Sequence, residues 1–493
     1  MASSTNEYIK TVNYFAARRN VLLTTLEDFL NQVQDAFAAN TSFLPLRNIA
    51  KKSILSILHN IQHGQLDIES EGEVFRFGAP FILHTDGPPK HLHAAIKVLD
   101  ETFWVRIFLY MDFGFADSYM LHQIEVDSLN NIFRIFVLNR AHLSEMRTIL
   151  SPIIRTVSYI ANLRFANALL GSKSNISTHY DLSNEIFAAF LSWDMTYSCA
   201  VFDNDAKGCT GDLTDPRPIA PPRKHYNDKR PPPDDLERGQ MEKLHLIARR
   251  ARIRPGSHVL EIGCGWGSFA ILAAGTYGAT VEAITISDVQ KLAIDENIQA
   301  AGLSDHINVH VMDYRSMPPS FHQAFDAVVS IGVMEHVGLE FMKGWFKQMS
   351  WAMKTKNSVK SHISLHQIFS WIYLLHYSEV DFVRKYIYPG GQLSSIKTLV
   401  DDIAAAGLNI ESIENIGPHY ARTLREWSYR FQANFESHIK PALNKQYPEL
   451  NDINIEIFRR KWIYYFAYSE AGFALRSISD SVFVLTREAN IFL

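Results

Sequence analysis

The chain has 493 residues, more than one hydrophobic core usually organises, which favours two domains and a tail. Apolar residues make up 47% and charged residues 20% of the chain, and this composition excludes an intrinsically disordered protein. The net charge is only −4, so charge gives no reason to expect nucleic acid as a partner.

Cysteine content and apolar runs bear on the cellular compartment. Cys199, Cys209 and Cys264 are too few and too scattered for a disulfide framework or a zinc site, which suits a reducing compartment and predicts no metal. The first residues lack the basic and apolar regions of a signal peptide. The longest apolar runs, such as residues 368–375, are well short of the roughly 20 residues that cross a bilayer. We therefore expect a cytoplasmic protein, soluble or attached to a membrane surface.

The chain begins with helical patterns. Residues 1–45 predict a polar helical lead-in. Ile54, Leu58 and Ile61 then recur at helical spacing after two lysines, which predicts an amphipathic helix. Packing of its apolar face in a core is the simpler interpretation, although basic residues beside an apolar face also suit an anionic membrane surface.

Short apolar runs separated by turn residues follow from Gly64, and they predict strands. The predicted strands cover residues 65–68, 74–78, 94–98, 103–108, 113–120 and 132–137. They indicate a small N-terminal α+β domain over residues 46–145 that has no catalytic constellation of its own. Substrate presentation or membrane contact is the function we expect of it.

Two segments separate this domain from the next one. Residues 146–200 predict a helical connector. Residues 201–235 are dense in proline and basic residues, which excludes a helix or central strand and predicts an exposed loop. The basic residues could meet lipid headgroups, or the loop could simply be solvated, as the interspersed Asp228, Asp234 and Asp235 favour.

A glycine-rich turn is the strongest signal in the chain. A strand at residues 259–262 runs into Gly263, Gly265 and Gly267, which let the backbone turn sharply and approach a ligand. Glu261 stands just before them, whereas a dinucleotide site has its acid about 20 residues further on. The E-x-G-x-G-x-G pattern resembles motif I of S-adenosylmethionine (SAM) methyltransferases. NAD is the weaker alternative, because Glu282 lies inside the next strand and is interpreted as solvent-facing.

More strands are predicted over residues 281–286, 307–313 and 325–331, each separated by a segment of helix length. A helix from Leu236 leads into them. Residues 236–493 therefore predict an α/β fold, a Rossmann-like open sheet with helices on both faces, of the SAM-dependent methyltransferase type.

Several motifs occur in a fixed order. They are H-Y-D-x-x-N at 179–184, M-x-Y-S-C at 195–199, the glycine turn, M-E-H-V-G at 334–338, and blocks at 385–391, 417–420 and 460–466. Together they resemble the cyclopropane-fatty-acyl-phospholipid synthase family (mycolic acid cyclopropane synthase-like), in particular its fungal-type members. The resemblance covers roughly residues 45 to 475.

The resemblance implies SAM-dependent methylene transfer to the cis double bond of unsaturated phospholipid acyl chains, which forms cyclopropane fatty acids. It implies membrane phospholipid as substrate and partner, peripheral membrane association, and helices of residues 458–473 beside the acyl chain. It also implies that residues 146–200 cover the active site. A homodimer stays open.

The family's functional residues carry over by motif. A bound bicarbonate ion, the implied base, would be held by Cys199, Glu335 and Tyr420, with His362 at the ungapped position for a fourth catalytic residue; we expect Tyr420 in a loop. For SAM, the implied residues are Glu261, Gly263, Gly265 and Gly267, with Tyr197 and Ser198 closing over it, Thr285 and Gln290 in place of the usual ribose-binding acid, and Asp313 near the adenine.

One stretch departs from the family pattern. Residues 355–377 show no apolar strand around His362, which puts the fifth strand and full activity in doubt. A local sequence error and natural divergence both explain the break. Two other hypotheses therefore stay open: a C-methyltransferase of another lipid, such as a methyl-branched acyl chain or a sphingoid base, and a catalytically impaired lipid-binding homologue. Methylation of a soluble amine would leave the N-terminal domain little to do.

Overall fold

The computed structural model describes residues 44–83, 90–143, 182–203, 208, 222–223, 228, 232–354, 362–370, 382–388, 391 and 393–488, with 362–370 as backbone. The predicted lead-in up to residue 43, the connector over 146–181 and most of the proline-rich loop lie outside the described residues.

The strands of the described chain are β1 (Gly64–Ser70), β2 (Glu73–Ala79), β3 (Ile82–Leu83), β4 (Lys90–His91), β5 (His93–Val98), β6 (Ile124–Val126), β7 (His258–Ile262), β8 (Thr280–Thr285), β9 (Ile307–Val311), β10 (Ala327–Ile331), β11 (His362–Ser370), β12 (Leu408–Asn415) and β13 (Ile478–Arg487). The α-helices are α1 (Leu44–Leu58), α2 (Thr102–Tyr110), α3 (Asp112–Met120), α4 (Leu129–Leu138), α5 (Asn184–Ala188), α6 (Asp235–Arg250), α7 (Ser268–Gly275), α8 (Asp288–Ala300), α9 (Met342–Ala352), α10 (Phe382–Tyr386), α11 (Ile396–Ala405), α12 (Gly417–Ala433), α13 (Lys440–Gln446) and α14 (Asp452–Ala474).

The chain divides into two compact units, and the described residues of the first are 44–80, 95–127 and 139–143. Its sheet has the strand order β2-β1-β5-β6. The predicted amphipathic helix is α1, and Ile54 and Leu58 are buried, as core packing requires. Lys51 Nζ donates to Ser70 Oγ at 2.9 Å and lies 3.1 Å from Glu71 Oε2, so this basic residue pairs within the unit.

Three predicted strands of the N-terminal region are wrong, because residues 103–108, 113–120 and 132–137 form α2, α3 and α4. The predictions over 65–68, 74–78 and 94–98 are confirmed as β1, β2 and β5. The buried residues of α2 are not alternate: Phe103, Trp104 and Phe108 share one helical face. Periodicity does not separate a short buried helix from a strand in runs this short.

The second unit comprises the described residues of 81–94, 128–138 and 173–493. Helix α4, from the stretch that the sequence assigns to the N-terminal domain, clusters here. Its Phe133 ring lies edge-on to the Tyr464 ring of α14, with centroids 5.0 Å apart. An aromatic contact of this kind explains why α4 belongs with the C-terminal helices.

The main sheet of this unit has the order β12-β13-β11-β10-β7-β8-β9. Strands β7 to β11 pair in parallel, and β13 runs antiparallel between β11 and β12. Alternate residues of β7 enter opposite cores: Leu260 packs with Trp345 and Phe346 of α9, and Val259 packs with Phe269 of α7. The predicted open α/β sheet with helices on both faces is thus confirmed, including the four predicted strands over β7 to β10.

The expectation that residues around His362 lack a fifth strand is wrong. Strand β11 pairs in parallel with β10, where Ala327 is opposite His362, and in antiparallel with β13 along its length. Neighbours on both edges supply its hydrogen-bond partners, so a polar sequence can be held in a central position that its own composition does not predict. No helix in the described ranges is both long and apolar enough to cross a membrane.

The core on the α9 side of the sheet can be tested by truncation. Phe346→Ala should lower the free energy of unfolding by about 3–5 kcal/mol, because the fully buried ring leaves a cavity against Leu260 and Trp345. Phe341→Ala is the matched control, since that ring is 44% exposed and should cost less than about 1 kcal/mol. Equal shifts of the urea midpoint for both variants would contradict this core.

Candidate active site

The glycine turn lies at the carboxyl end of β7, where ligands bind in open parallel sheets. Gly263, Gly265 and Gly267 have φ angles of +83°, +53° and +88°. A Cβ on Gly263 would come within 2.1 Å of Val333 Cγ2, whereas one on Gly265 would meet nothing within 4 Å. The turn is therefore packed tightly on one side and open on the other.

Glu261 is the penultimate residue of β7 and is buried. Burial raises the pKa of its carboxyl group to about 8, although Lys243 and the backbone N–H of Ala270 act in the opposite direction. Its Oε2 atom has no hydrogen-bond partner among the described residues. A ligand bound at the open side of the turn would supply the hydrogen bond that this buried oxygen lacks.

Tyr197, Ser198 and Cys199 lie against α6. Gln240 Nε2 donates to Ser198 O at 2.7 Å, and Lys243 Nζ donates to Ser198 Oγ at 2.8 Å. Sequence analysis missed both helix residues. The signal was present, because they share a helical face with the apolar Leu236 and Ile247, and a polar residue on a buried face needs a partner.

The motif blocks converge at the turn. Trp266 Nε1 donates to Asn184 Oδ1 at 3.0 Å, which joins the glycine turn to the end of the H-Y-D-x-x-N block. Ser268 at the start of α7 donates to the carbonyl of Asp194, which precedes the M-x-Y-S-C block by one residue. Residues 179–181 of the first block lie outside the described ranges.

Three tyrosine hydroxyls meet beside this segment. Tyr388 donates to the Tyr197 hydroxyl, and the oxygens of Tyr388 and Tyr465 are 3.5 Å apart. Desolvation is the largest cause that raises the pKa of each hydroxyl, so all three are neutral donors. The Trp427 ring lies 5.0 Å from that of Tyr197 and adds to the apolar surroundings. We call these three residues the tyrosine cluster.

Cys199 is fully buried, and its Sγ donates to the carbonyls of Ala200 at 3.2 Å and Ile416 at 3.7 Å. Burial, followed by the charge of Asp480, holds the pKa of the thiol well above its usual range. The group is therefore a neutral thiol and a hydrogen-bond donor, which does not suit a nucleophile.

Tyr420 does not lie in a loop, and that expectation is wrong. It belongs to the first turn of α12, which begins at Gly417 with Pro418 at a position where helices tolerate proline. Its buried ring stacks on Phe473 at 4.6 Å. Since Cys199 contacts Ile416, just before this helix, the structure brings Cys199 and the start of α12 together.

Glu335 lies in a short 3-10 turn, Met334–His336, that follows β10 at the same edge of the sheet. It is 8% exposed. The adjacent His336 ring lies 5.4 Å from that of Tyr388, which links this turn to the tyrosine cluster. The backbone of His362 begins β11 beside β10, and its side chain lies outside what the structure describes.

The remaining predicted cofactor residues follow β8 and β9. Thr285 Oγ1 donates to Gln290 Oε1 at 2.9 Å, so the two side chains are joined at the start of α8. Asp313 accepts from Arg315 at 2.8 and 2.7 Å, and this hydrogen bonding lowers the pKa of the carboxyl group. Asp313 is thus an anion already bound to a guanidinium group.

Glu282, the acid considered for NAD, is not simply solvent-facing. Its carboxylate bonds to His310 Nε2 at 2.5 Å and accepts from Asn308 at 3.1 Å, and the side chain is only 18% exposed. These partners lie on the neighbouring edge strand β9, and Glu282 itself lies within β8 and not at its carboxyl end. The carboxylate is therefore not placed at the edge where a ribose would bind.

A pocket of about 830 Å³ lies beside these groups. Its lining includes Tyr197, Trp266, Gln290, Tyr388 and Trp462. The aromatic C-terminal helix predicted over residues 458–473 is part of α14 and contributes to this lining. Residues from the turn and from the C-terminal helices thus face one shared space.

The sheet order and the glycine turn after its first parallel strand define the fold of SAM-dependent methyltransferases. The solved structure of coclaurine N-methyltransferase bound to N-methylheliamine and SAH has this fold: its TM-score is 0.52 at 18% identity, covering 76% of this chain and 98% of that one. More narrowly, the chain belongs to the mycolic acid cyclopropane synthetase family, whose model matches residues 170–482.

Curated relatives agree with this family. The chain is 29% identical over 395 residues to a cyclopropane-fatty-acyl-phospholipid synthase of Escherichia coli (strain K12), covering 78% of this chain and 86% of that protein. It is 31% identical over 318 residues to the tuberculostearic acid methyltransferase UfaA1 of Mycobacterium tuberculosis, covering 64% of this chain. The match spans 66% of UfaA1 and 57% of a probable fatty acid methyltransferase of Pseudomonas putida, less than two thirds of each.

The tight side of the glycine turn gives one prediction. Gly263→Ala should weaken SAH binding at least about tenfold, because a left-handed φ strains alanine by roughly 1–3 kcal/mol and its Cβ would overlap Val333. Titration calorimetry measures the affinity. Gly344→Ala is the control, since Gly344 lies in α9 with nothing within 4 Å of a new Cβ. Equal SAH affinity in the two variants would contradict the geometry.

The raised pKa of the Cys199 thiol gives a second prediction. In the native protein at pH 8, iodoacetamide should leave Cys199 unmodified, because the reaction needs a thiolate and the group is buried and protonated. Peptide mass mapping measures the modification. The guanidinium-unfolded chain is the control and should react fully. Native labelling of Cys199 at the rate of the unfolded chain would show that the thiol is accessible and ionised.

Proposed function

We propose that the protein transfers a methylene group from SAM to the cis double bond of an unsaturated phospholipid acyl chain, forming a cyclopropane ring. The observation that carries the proposal is the shared pocket, which is lined by Trp266 of the glycine turn together with Tyr388 and Trp462. Membership of the family supports the proposal, as does similarity to the E. coli synthase over 86% of that protein's length.

The residues at the turn fit a SAM molecule. The open space at Gly265 admits a ligand close to the backbone, and Glu261 offers an unsatisfied buried acceptor. Gly263 and Gly267 would shape the turn around the methionine part, with Tyr197 and Ser198 above it. Thr285 and Gln290 would take the ribose, and Asp313 would lie toward the adenine. SAM supplies an electrophilic methyl group on its sulfonium sulfur.

An alkene is a weak nucleophile, so the protein must hold it close to that methyl group in a site free of water. Rings surround the tyrosine cluster: Phe187 lies 5.2 Å from Tyr197, and Trp462 lies 5.6 Å from Tyr465. They would exclude water and present π faces to the positive charge that develops on the acyl chain after methylation. Ring closure then requires that one proton leave the transferred methyl group.

We propose that bicarbonate serves as the proton acceptor, held by Cys199, Glu335 and Tyr420, with His362 as a further candidate. The chemistry of the described donors fits an oxyanion, because burial keeps both the Cys199 thiol and the Tyr420 hydroxyl protonated. The bicarbonate ion would accept this proton, and the neutral Cys199 thiol beside it would be a poor nucleophile for the methyl group. The Cys199 thiol and the Tyr420 hydroxyl would orient the bicarbonate ion as hydrogen-bond donors, and Glu335 would share a proton with the ion.

A C-methyltransferase that leaves a methyl-branched acyl chain is the second candidate. Similarity to a tuberculostearic acid methyltransferase at 31% identity favours it. The two products differ only in how the cation is quenched. A catalytically impaired homologue is less favoured, since β11 occupies the place of the fifth strand, whose absence was one ground for that hypothesis.

We also propose that the protein works at the membrane surface, where its lipid substrate resides, in the cytoplasm. Arg223 in the proline-rich loop argues against that loop as a free basic patch. It donates to the carbonyl of Trp193 at 3.0 Å and to Asn297 Oδ1 at 2.7 Å. That the protein forms a homodimer stays a proposal, and it rests on the family resemblance.

The test is mass spectrometry of acyl chains after the purified protein is incubated with SAM and unsaturated phospholipid vesicles. We expect a gain of one CH2 unit with loss of the double bond. Glu335→Gln should lower the rate by at least about 10²-fold, because it removes a carboxylate from the proton-accepting site. Glu340→Gln is the matched control, since Glu340 is exposed in the next turn.

Catalytic hydrogenation separates the two products. A cyclopropane product takes up no hydrogen under mild conditions, whereas an exomethylene or branched alkene does. Uptake would favour the methyl-branched alternative. A folded protein that binds SAH but leaves every acyl chain unchanged would refute both.

A further inference from the structure

Lys243 is a buried lysine that the proposed chemistry does not use. It lies on α6, is fully buried, and donates through Nζ to Ser198 Oγ at 2.8 Å. Lysine is almost never fully buried unless it is paired, because removing an ammonium group from water is costly. Its position therefore calls for a reason.

The titratable groups that act on Lys243 come from three parts of the fold. Asp194 and Cys199 lie on the segment before α6, Glu261 is the penultimate residue of β7, and Asp480 lies on β13. Burial lowers the pKa of the amine to about 8, although these acidic groups oppose the shift. The Lys243 ammonium group, which is largely charged at neutral pH, thus lies near both β7, the strand before the glycine turn, and the buried Cys199.

The segment held by Lys243 is strained. Met195 has a φ of +60°, a left-handed conformation that methionine rarely adopts, so contacts outside the residue must maintain it. Gln240, one helical turn before Lys243, donates to the Ser198 carbonyl at 2.7 Å. Residues of helix α6 therefore form hydrogen bonds with both the main chain and the side chain of Ser198.

We propose that Lys243 is a positioning residue for the cofactor: its hydrogen bond to Ser198 fixes residues 195–199 over the glycine turn. Tyr197 and Cys199 flank Ser198, so one bond would set the place of the tyrosine that covers SAM and of the thiol behind it. The inference rests on the proposed use of SAM, and it adds a residue that no motif of the chain indicates.

A double-mutant cycle on SAH binding tests the bond. Lys243→Met, which keeps the length of the side chain, should raise the Kd for SAH about tenfold, and so should Ser198→Ala, because each removes one partner of a charged hydrogen bond. The double variant should be no more than about twofold weaker than either single one. Additive losses would overturn the proposal, since they would mean independent structural damage.

Steady-state kinetics supply a readout that general destabilisation would not produce. In both single variants the KM for SAM should rise, and the KM for phospholipid vesicles should stay within about twofold of that of the wild type. Arg249→Met is the matched control, because Arg249 lies on the same helix in an exposed pair with Glu242. Equal rises in both KM values would overturn the role.

Folding of the variants does not limit the test. If Lys243→Met is recovered unfolded, Ser198→Ala decides alone, because it deletes one oxygen, and a Kd within twofold of the wild type would overturn the proposal. If the variants show the expected SAH affinities but the wild-type protein makes no cyclopropane, the proposed reaction is refuted and the role of Lys243 in SAH binding stands. Failure of the wild type to bind SAH would refute both.

Discussion

The close contact between Gly263 and Val333 is the constraint on which the site depends. A side chain at position 263 would displace Val333, which stands two residues before Glu335. The turn after β7 and the turn after β10 are therefore packed together without room for adjustment. The two turns carry the proposed cofactor-binding and catalytic residues, so this van der Waals contact fixes how close the two halves of the proposed site lie.

Around that contact the protein buries hydroxyl, thiol and carboxyl groups in protonated form. Desolvation raises the pKa of Cys199, Glu261 and the tyrosine cluster, which favours the neutral form of each group. Neutral groups of this kind give a cationic cofactor or a cationic intermediate little stabilisation by charge. The same buried surroundings exclude water and present aromatic faces to the positive charge in place of carboxylates.

Residue patterns in the sequence predicted those parts of the fold that depend on residues close together in the chain. The glycine turn needs left-handed backbone at Gly263, and the strands around it are short runs rich in Val and Ile separated by segments of helix length, so sequence alone located them. Strand β11 is held by its neighbours, which its own composition does not reveal. The apolar face of α6 marks Lys243 as a residue that needs a partner, but that partner, Ser198, lies 45 positions away, and no pattern along the chain identifies it. The helices α2 to α4 were predicted wrongly for another reason: segments of nine or ten residues rich in aromatic and branched side chains fit either period.

The antiparallel strand β13 has a consequence for how the protein is made. It lies between β11 and β12, and its Asp480 lies near Cys199, so a ribosome must translate residues 478–487 before the sheet can close. Until then β11 and β12 each present an unpaired edge in the nascent chain. Until the C-terminal strand is made, those edges are open to pairing with other chains, so late synthesis of β13 exposes the nascent protein to aggregation.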